Sequence, residues 1–211
     1  GHIMMLAARD DNPRVICVAG GPEIPSQDDE RRAYLAKRPE IDFYAYLEGE
    51  LPFGELVSKL IAGATADELR RVPQDGMLSL HPDTRELIIG PVMPRPMDMD
   101  IIPSPYLTGL MDEWFDGSTA PSMETARGCP FSCTFCFQGQ KYFSTIAKFS
   151  IERIKDELTY IAKRMTDAPN NFLRLYDSNF GMYERDEEIA EHLRSLQDEY
   201  GWPNFIDVNT G

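Results

Sequence analysis

Histidine is scarce in this chain, with three among 211 residues. One of them, His2, sits in the opening Gly1-His2-Ile3, which precedes Met4 and Met5 and reads as an expression scar over residues 1–3. A metal site built on imidazoles is therefore hard to assemble from His81 and His192 alone. Long apolar runs are missing too. None approaches the roughly 20 residues that span a bilayer. No basic segment followed by an apolar core opens the chain, so no secretory leader is expected. Basic residues are outnumbered: 21 Lys and Arg face 35 Asp and Glu, a net charge of −14. An acidic surface repels phosphate backbones and anionic lipid, so neither nucleic acid nor a membrane is expected as a partner.

What is present is ordinary globular material. Hydrophobic residues make up 42% and aromatics 10%, enough for a core. The length suits one large domain or two small ones. Residues 14–19 form a β-branched apolar run that ends in Gly20-Gly21-Pro22, the pattern of a buried parallel strand entering a tight loop. Residues 28–38 suit a surface helix. Residues 41–47 read as a second strand, closed by Glu48-Gly49-Glu50. Pro52 opens a helix with Leu56, Val57, Leu60 and Ile61 on one face, and Gly63 ends it. Two short apolar runs flanking His81-Pro82-Asp83-Thr84 predict a hairpin over residues 77–90. Residues 91–121, rich in Pro, Met and Asp, read as an extended linker. After it come a strand at 122–126, a helix capped by Ser150, a strand at 172–176, a helix at 185–199 and a strand at 204–209. The rhythm is α/β.

The four cysteines are unevenly spread. Cys17 stands alone in the first apolar run and reads as a small core residue. Cys129, Cys133 and Cys136 fall in one loop with spacing C-x3-C-x2-C. A disulfide scaffold spreads its cysteines along the chain. A tight trio in an acidic chain points to a metal or cluster in a reducing compartment, so a cytoplasmic location is expected. Three thiolates on one short loop can ligate three irons of a cubic cluster and leave the fourth open. Gly128 and Pro130 let the backbone turn where the first sulfur must face inward. A structural zinc remains the rival on these residues, in a non-catalytic scaffold module. It would need Cys17 or a histidine as fourth ligand, because no second cysteine pair follows.

The segment Arg127-Gly128-Cys129-Pro130-Phe131-Ser132-Cys133-Thr134-Phe135-Cys136 resembles the radical S-adenosylmethionine superfamily. The resemblance implies an enzyme with a [4Fe–4S] cluster whose open iron is chelated by S-adenosylmethionine. Reductive cleavage of that sulfonium yields a 5′-deoxyadenosyl radical, which takes a hydrogen atom from a substrate. It implies Cys129, Cys133 and Cys136 as cluster ligands and Phe135 beside the adenine. Asp177, Ser178 and Asn179, in place of the family's usual Gly-Gly-Glu, would meet the methionine or ribose moiety. It implies a partial (βα)6 barrel and an electron donor such as flavodoxin or ferredoxin. The substrate, a small molecule, is not legible.

The first half resembles the C-terminal part of the Rossmann-like cobalamin-binding domain that often precedes such barrels. The resemblance implies cobalamin as a second cofactor, bordered by Gly20, Gly21, Glu48, Gly49 and Glu50, and methyl transfer to an unactivated carbon as one reaction of the class. A radical enzyme without cobalamin is the alternative. The Asp-x-His-x-x-Gly motif of histidine-ligated cobalamin proteins is absent. The expected organisation is 4–76 for the Rossmann-like segment, 77–121 for hairpin and linker, and 122–211 for the N-terminal part of the barrel. Two strands precede the hairpin where a Rossmann-like domain needs about five. Either the early strands are missing or this half is a degenerate remnant, and tight cobalamin binding is not expected. Three barrel strands, where the resemblance implies six, lead to the expectation of a fragment without full catalytic competence.

Overall fold

The computed structural model describes residues 1–210, which fall into two compact units, Gly1–Pro94 and Arg95 onward. The first unit is a sheet with helices on both faces. Its elements are α1 (His2–Asp11), β1 (Val18–Gly20), α2 (Asp28–Ala36), β2 (Phe43–Ala45), α3 (Glu50–Ile61), the short α4 (Ala66–Leu69), β3 (Met77–Leu80) and β4 (Leu87–Ile89). Strand order is β1-β2-β3-β4; β1 and β2 run parallel and the later pairs antiparallel. The hairpin therefore does not stand apart: Tyr44 pairs with Leu78, which extends the same sheet to four strands.

Alternation along β2 explains the two-sided core. Tyr44 and Tyr46 pack with Leu35 of α2, Ile41, Leu78 and Leu80. Phe43 and Ala45 pack with Leu56 of α3, Leu69 and Met77 on the other side. Each fully buried large side chain contributes about 1.5–3 kcal/mol. At the foot of β2, the carboxylate of Asp42 is 7% exposed and accepts from Cys17 N at 2.8 Å and Arg9 at 2.5 Å. Cys17 is buried, as its place in an apolar run predicts. His81 accepts from the backbone N–H groups of Asp83 and Thr84, both at 3.3 Å, and so caps the hairpin turn. Residues 2 and 3, read as part of a scar, lie in α1, where His2 Nδ1 is 2.7 Å from Glu40 Oε1.

The second unit holds β5 (Ser122–Met123), β6 (Ala126–Arg127), β7 (Ala147–Lys148), α5 (Ile151–Met165), β8 (Phe172–Leu175), α6 (Glu184–Tyr200) and β9 (Phe205–Val208). β5, β8 and β9 form a parallel sheet in that order. Ser150 caps α5 by accepting from Arg153 N at 3.2 Å. The stripe Ile154, Leu158, Ile161 and Met165 is fully buried against Leu173 and Leu175 of β8 and Ile189, Leu193 and Leu196 of α6. Residues 95–121 are not a free linker. Met99 is fully buried, and Tyr106 donates to Ser122 O at 2.6 Å. Apolar residues without periodicity gave no sign of this docking.

His192 of α6 lies 3.0 Å from Thr159 Oγ1 and 3.2 Å from Lys155 O, both on α5. Burial lowers its pKa below 6.5, with the Lys155 charge acting in the same sense and its carbonyl opposing. The folded state thus prefers the neutral ring. Above pH 6.5 both states are neutral; as pH falls below it the unfolded chain takes up the proton first, and stability declines. Both tryptophans, Trp114 and Trp202, lie in this unit. Denaturation followed by tryptophan emission should show the midpoint falling on acidification, with a flatter profile in His192→Gln. Equal slopes in the two proteins would contradict this account.

Candidate metal centre

The cysteine loop leaves the parallel sheet just after β5. Its neck is the antiparallel pair β6–β7, in which Ala126 faces Lys148 and Arg127 faces Ala147. Within the loop, Cys129 N donates to Phe143 O at 2.8 Å, Cys136 N to Cys133 O at 3.2 Å and Gly139 N to Cys136 O at 3.0 Å. Two glycines are sterically required. Gly128 has φ +114°, and a Cβ there would meet Thr145 O at 2.5 Å; at Gly139 a Cβ would meet Cys133 O at 2.2 Å. Arg95, 8% exposed, donates to Thr145 O at 2.6 Å and Arg127 O at 3.3 Å, tying the two sides of the neck together. A lone arginine between Pro94 and Pro96 gave no sequence signal for this role.

All three loop cysteines are free thiols; Cys129 is half-buried, and Cys133 and Cys136 are exposed. Among the described residues, no three His, Cys, Asp or Glu side chains converge on a point that would hold a metal ion. The donor chemistry nevertheless suits a cluster: three soft thiols on one pinned, solvent-open loop, with Cys17 buried in the core of the other unit. Tyr183 adds a buried hydroxyl without a partner, its pKa raised by burial and then by the charges of Asp186, Cys129 and Asp177.

The turn after β8 reaches the loop through three successive side chains. Asp177 accepts from Thr125 N at 2.7 Å, Thr125 Oγ1 at 2.5 Å and Ala126 N at 2.9 Å. Burial raises its pKa above the usual carboxylate value, and these hydrogen bonds oppose the shift. Ser178 Oγ bonds Gln138 Oε1. Asn179 Nδ2 donates to Cys129 Sγ at 3.2 Å. Asp177, expected to meet the methionine or ribose moiety, is engaged here by its own chain. Its side chain is 3% exposed and both oxygens are committed to the loop's root. Thr125 and Gln138 were missed because nothing local marks a partner some 50 or 40 residues away. Phe135 is 92% exposed. Beyond the turn, a cavity of about 200 Å³ opens at the ends of β8 and β9, lined by Arg174, Leu175, Tyr176, Asp207, Val208 and Asn209.

In the first unit, the Gly20-Gly21 and Glu48-Gly49-Glu50 loops follow adjacent parallel strands and converge on Ala45. A Cβ on Gly20 would lie 3.4 Å from Ala45 O, and one on Gly49 3.4 Å from Ala45 Cβ. Gly21 has φ +108° with open space around it, and its carbonyl accepts from Tyr44 Oη at 2.9 Å. Glu48 is half-buried and Glu50 exposed.

No family model matches the chain. It is 36% identical over 207 residues to the cobalamin-dependent radical SAM methyltransferase TokK of Streptomyces tokunonensis, a match that covers 93% of this chain and 28% of that protein. It is 32% identical over 211 residues to the 2-(S-pantetheinyl)-carbapenam-3-carboxylate methyltransferase of Streptantibioticus cattleyicolor, covering 95% of this chain and 28% of that protein. The chain thus spans a little over a quarter of the length of these curated relatives. The solved structure of the cobalamin-dependent S-adenosylmethionine radical enzyme OxsB, with aqua-cobalamin and S-adenosylmethionine bound, matches with TM-score 0.61 at 19% identity, over 93% of this chain and 26% of that one. The radical S-adenosylmethionine methyltransferase TsrM from Kitasatospora setae, with cobalamin and a [4Fe-4S] cluster bound, matches with TM-score 0.58 at 14% identity, over 96% of this chain and 37% of that one. At these identities the structural matches establish the α/β fold.

Proposed function

From homologues that are cobalamin-dependent radical S-adenosylmethionine methyltransferases, we propose that this chain carries the cluster-binding segment of an enzyme of that class. Cys129, Cys133 and Cys136 would hold a [4Fe–4S] cluster through three of its irons, with the fourth left for S-adenosylmethionine. When bound, the cluster supplies the electron that breaks the sulfonium bond. The chain's own residues prepare the loop. Gly128 and Gly139 allow its close turns, Arg95 holds the neck shut, and Asp177 fixes the root to the end of β8. Exposed Cys133 and Cys136 leave the site reachable by ligand and by an electron donor such as flavodoxin or ferredoxin. Free thiols at such a site suit a reducing, cytoplasmic setting.

We read β5, β8 and β9 with α5 and α6 as part of a (βα)6 barrel. Its substrate, a small molecule, would enter at the strand C-termini, where the polar cavity beside Arg174 and Asp207 lies. Phe135, bare to solvent, would cover the adenine. In the first unit the Gly20-Gly21 and Glu48-Gly49-Glu50 loops, gathered at one end of β1 and β2, would border cobalamin, and the reaction would be methyl transfer to an unactivated carbon.

The observation that carries this reading is the trio of free thiols on one clamped loop, set beside the homology. Anaerobic reconstitution with iron and sulfide tests it. The expected product is brown, absorbs broadly near about 400 nm and holds iron in proportion to protein. One tightly held zinc and no iron would mean a structural site and end the enzymatic reading. Titration with hydroxocobalamin addresses the second cofactor, an unchanged cobalamin spectrum counting against it.

A further inference from the structure

The three residues that close β8 grip the cysteine loop in different ways. Asp177 takes the backbone at the loop's root, before the first cysteine. Ser178 takes the side chain of Gln138, beyond the third. Asn179 alone touches a sulfur, that of Cys129, at 3.2 Å through its amide nitrogen. A ligating sulfur carries no proton, so it can only accept, and the NH2 end of the amide is the end it can accept from. A donor aimed at a thiolate stabilises negative charge there. Reducing an iron–sulfur cluster adds one negative charge, part of which spreads onto its sulfurs. Hydrogen bonds to those sulfurs therefore favour the reduced state and raise the potential.

We propose that Asn179 is a positioning residue for the cluster: its hydrogen bond to Cys129 Sγ raises the cluster's reduction potential and brings it within reach of the electron donor. The inference rests on reading Cys129 as a cluster ligand. It also gives the turn a role other than gripping the methionine or ribose of S-adenosylmethionine. Asp177 is locked inward, Ser178 is engaged with Gln138, and Asn179 faces sulfur. All three residues hold the loop, and Asn179 alone tunes what it carries.

The test compares wild type, Asn179→Ala, Asn179→Asp and Ser178→Ala after anaerobic reconstitution. Iron per chain and the midpoint potential are measured, the latter from the reduced cluster's electron paramagnetic resonance during a mediated titration. Asn179→Ala is expected to load iron like wild type. At a fixed poise its reduced-to-oxidised ratio should be about tenfold lower, which for a one-electron couple is about 59 mV. Asn179→Asp keeps the shape but turns a donor toward an acceptor, so its potential should fall further. Ser178→Ala should leave the potential unchanged. Identical potentials in wild type and both Asn179 variants would overturn the proposal and leave the cluster reading standing. So would loss of iron uptake in both Asn179 variants, since the residue would then be merely structural. A wild type that takes up no iron would remove both.

Discussion

Cys133→Ala is expected to abolish reductive cleavage of S-adenosylmethionine by the reconstituted chain. Two thiolates would remain, and a cube gripped at two corners has neither a fixed position nor one defined open iron. Losing only an outer partner of a metal ligand costs roughly 10–100-fold, so loss of a ligand should cost at least about 100-fold. The loop itself should survive the change, because Cys133 contributes its carbonyl, not its sulfur, to the turn that Cys136 N closes. Cys17→Ala is the control. That residue is 6% exposed in the core of the first unit, and its removal should trim stability while iron content stays at the wild-type level. The readout is 5′-deoxyadenosine formed per cluster under dithionite. Equal yield from wild type and Cys133→Ala would remove the central assignment.

The second large effect is expected at Asp177. In Asp177→Ala three donors lose their acceptor at once: Thr125 N, Thr125 Oγ1 and Ala126 N. Thr125 is fully buried, so water cannot replace the carboxylate without opening the sheet. A buried donor left unsatisfied costs about 1–3 kcal/mol. Some relaxation among the three makes about 3 kcal/mol the expected loss for the second unit, a large part of the 5–15 kcal/mol typical of a domain. Asp177→Asn should lose less, since its oxygen still serves one donor while its NH2 opposes another. Tryptophan emission during urea unfolding measures both, and iron uptake should fall in the same order. An unshifted midpoint in Asp177→Ala would mean the carboxylate does not secure the loop.

Elements specified by local pattern were legible in the sequence. α5 and α6 follow from apolar residues at helical spacing, and Ser150 marks a start by short-range chemistry. The hairpin followed from two apolar runs around a turn. What it pairs with did not, because the register of Tyr44 against Leu78 joins residues far apart in the chain. β1 proved shorter than its apolar run, since Arg14 is exposed and Cys17 spends its carbonyl on the N–H groups of Asp42 and Phe43. At the site, the thiol trio was plain from spacing alone. The turn Asp177-Ser178-Asn179 touches the cysteine loop, which its sequence did not show, because polar residues in a turn look the same whether they face a ligand or their own chain. Burial decides that, and burial of Asp177 depends on a threonine 52 positions earlier.

The antiparallel pair at the loop's neck has a further implication. Two paired strands hold their ends about 5 Å apart whatever lies between them. The segment from Gly128 to Ile146 is therefore a cassette plugged into the scaffold by a two-rung socket, Ala126 with Lys148 and Arg127 with Ala147. Away from Cys129, Gln138, Thr145 and the two pinned glycines, its residues can change without asking the neighbouring helices or the parallel sheet to move. The body of the unit can thus stay folded while such positions in the segment vary.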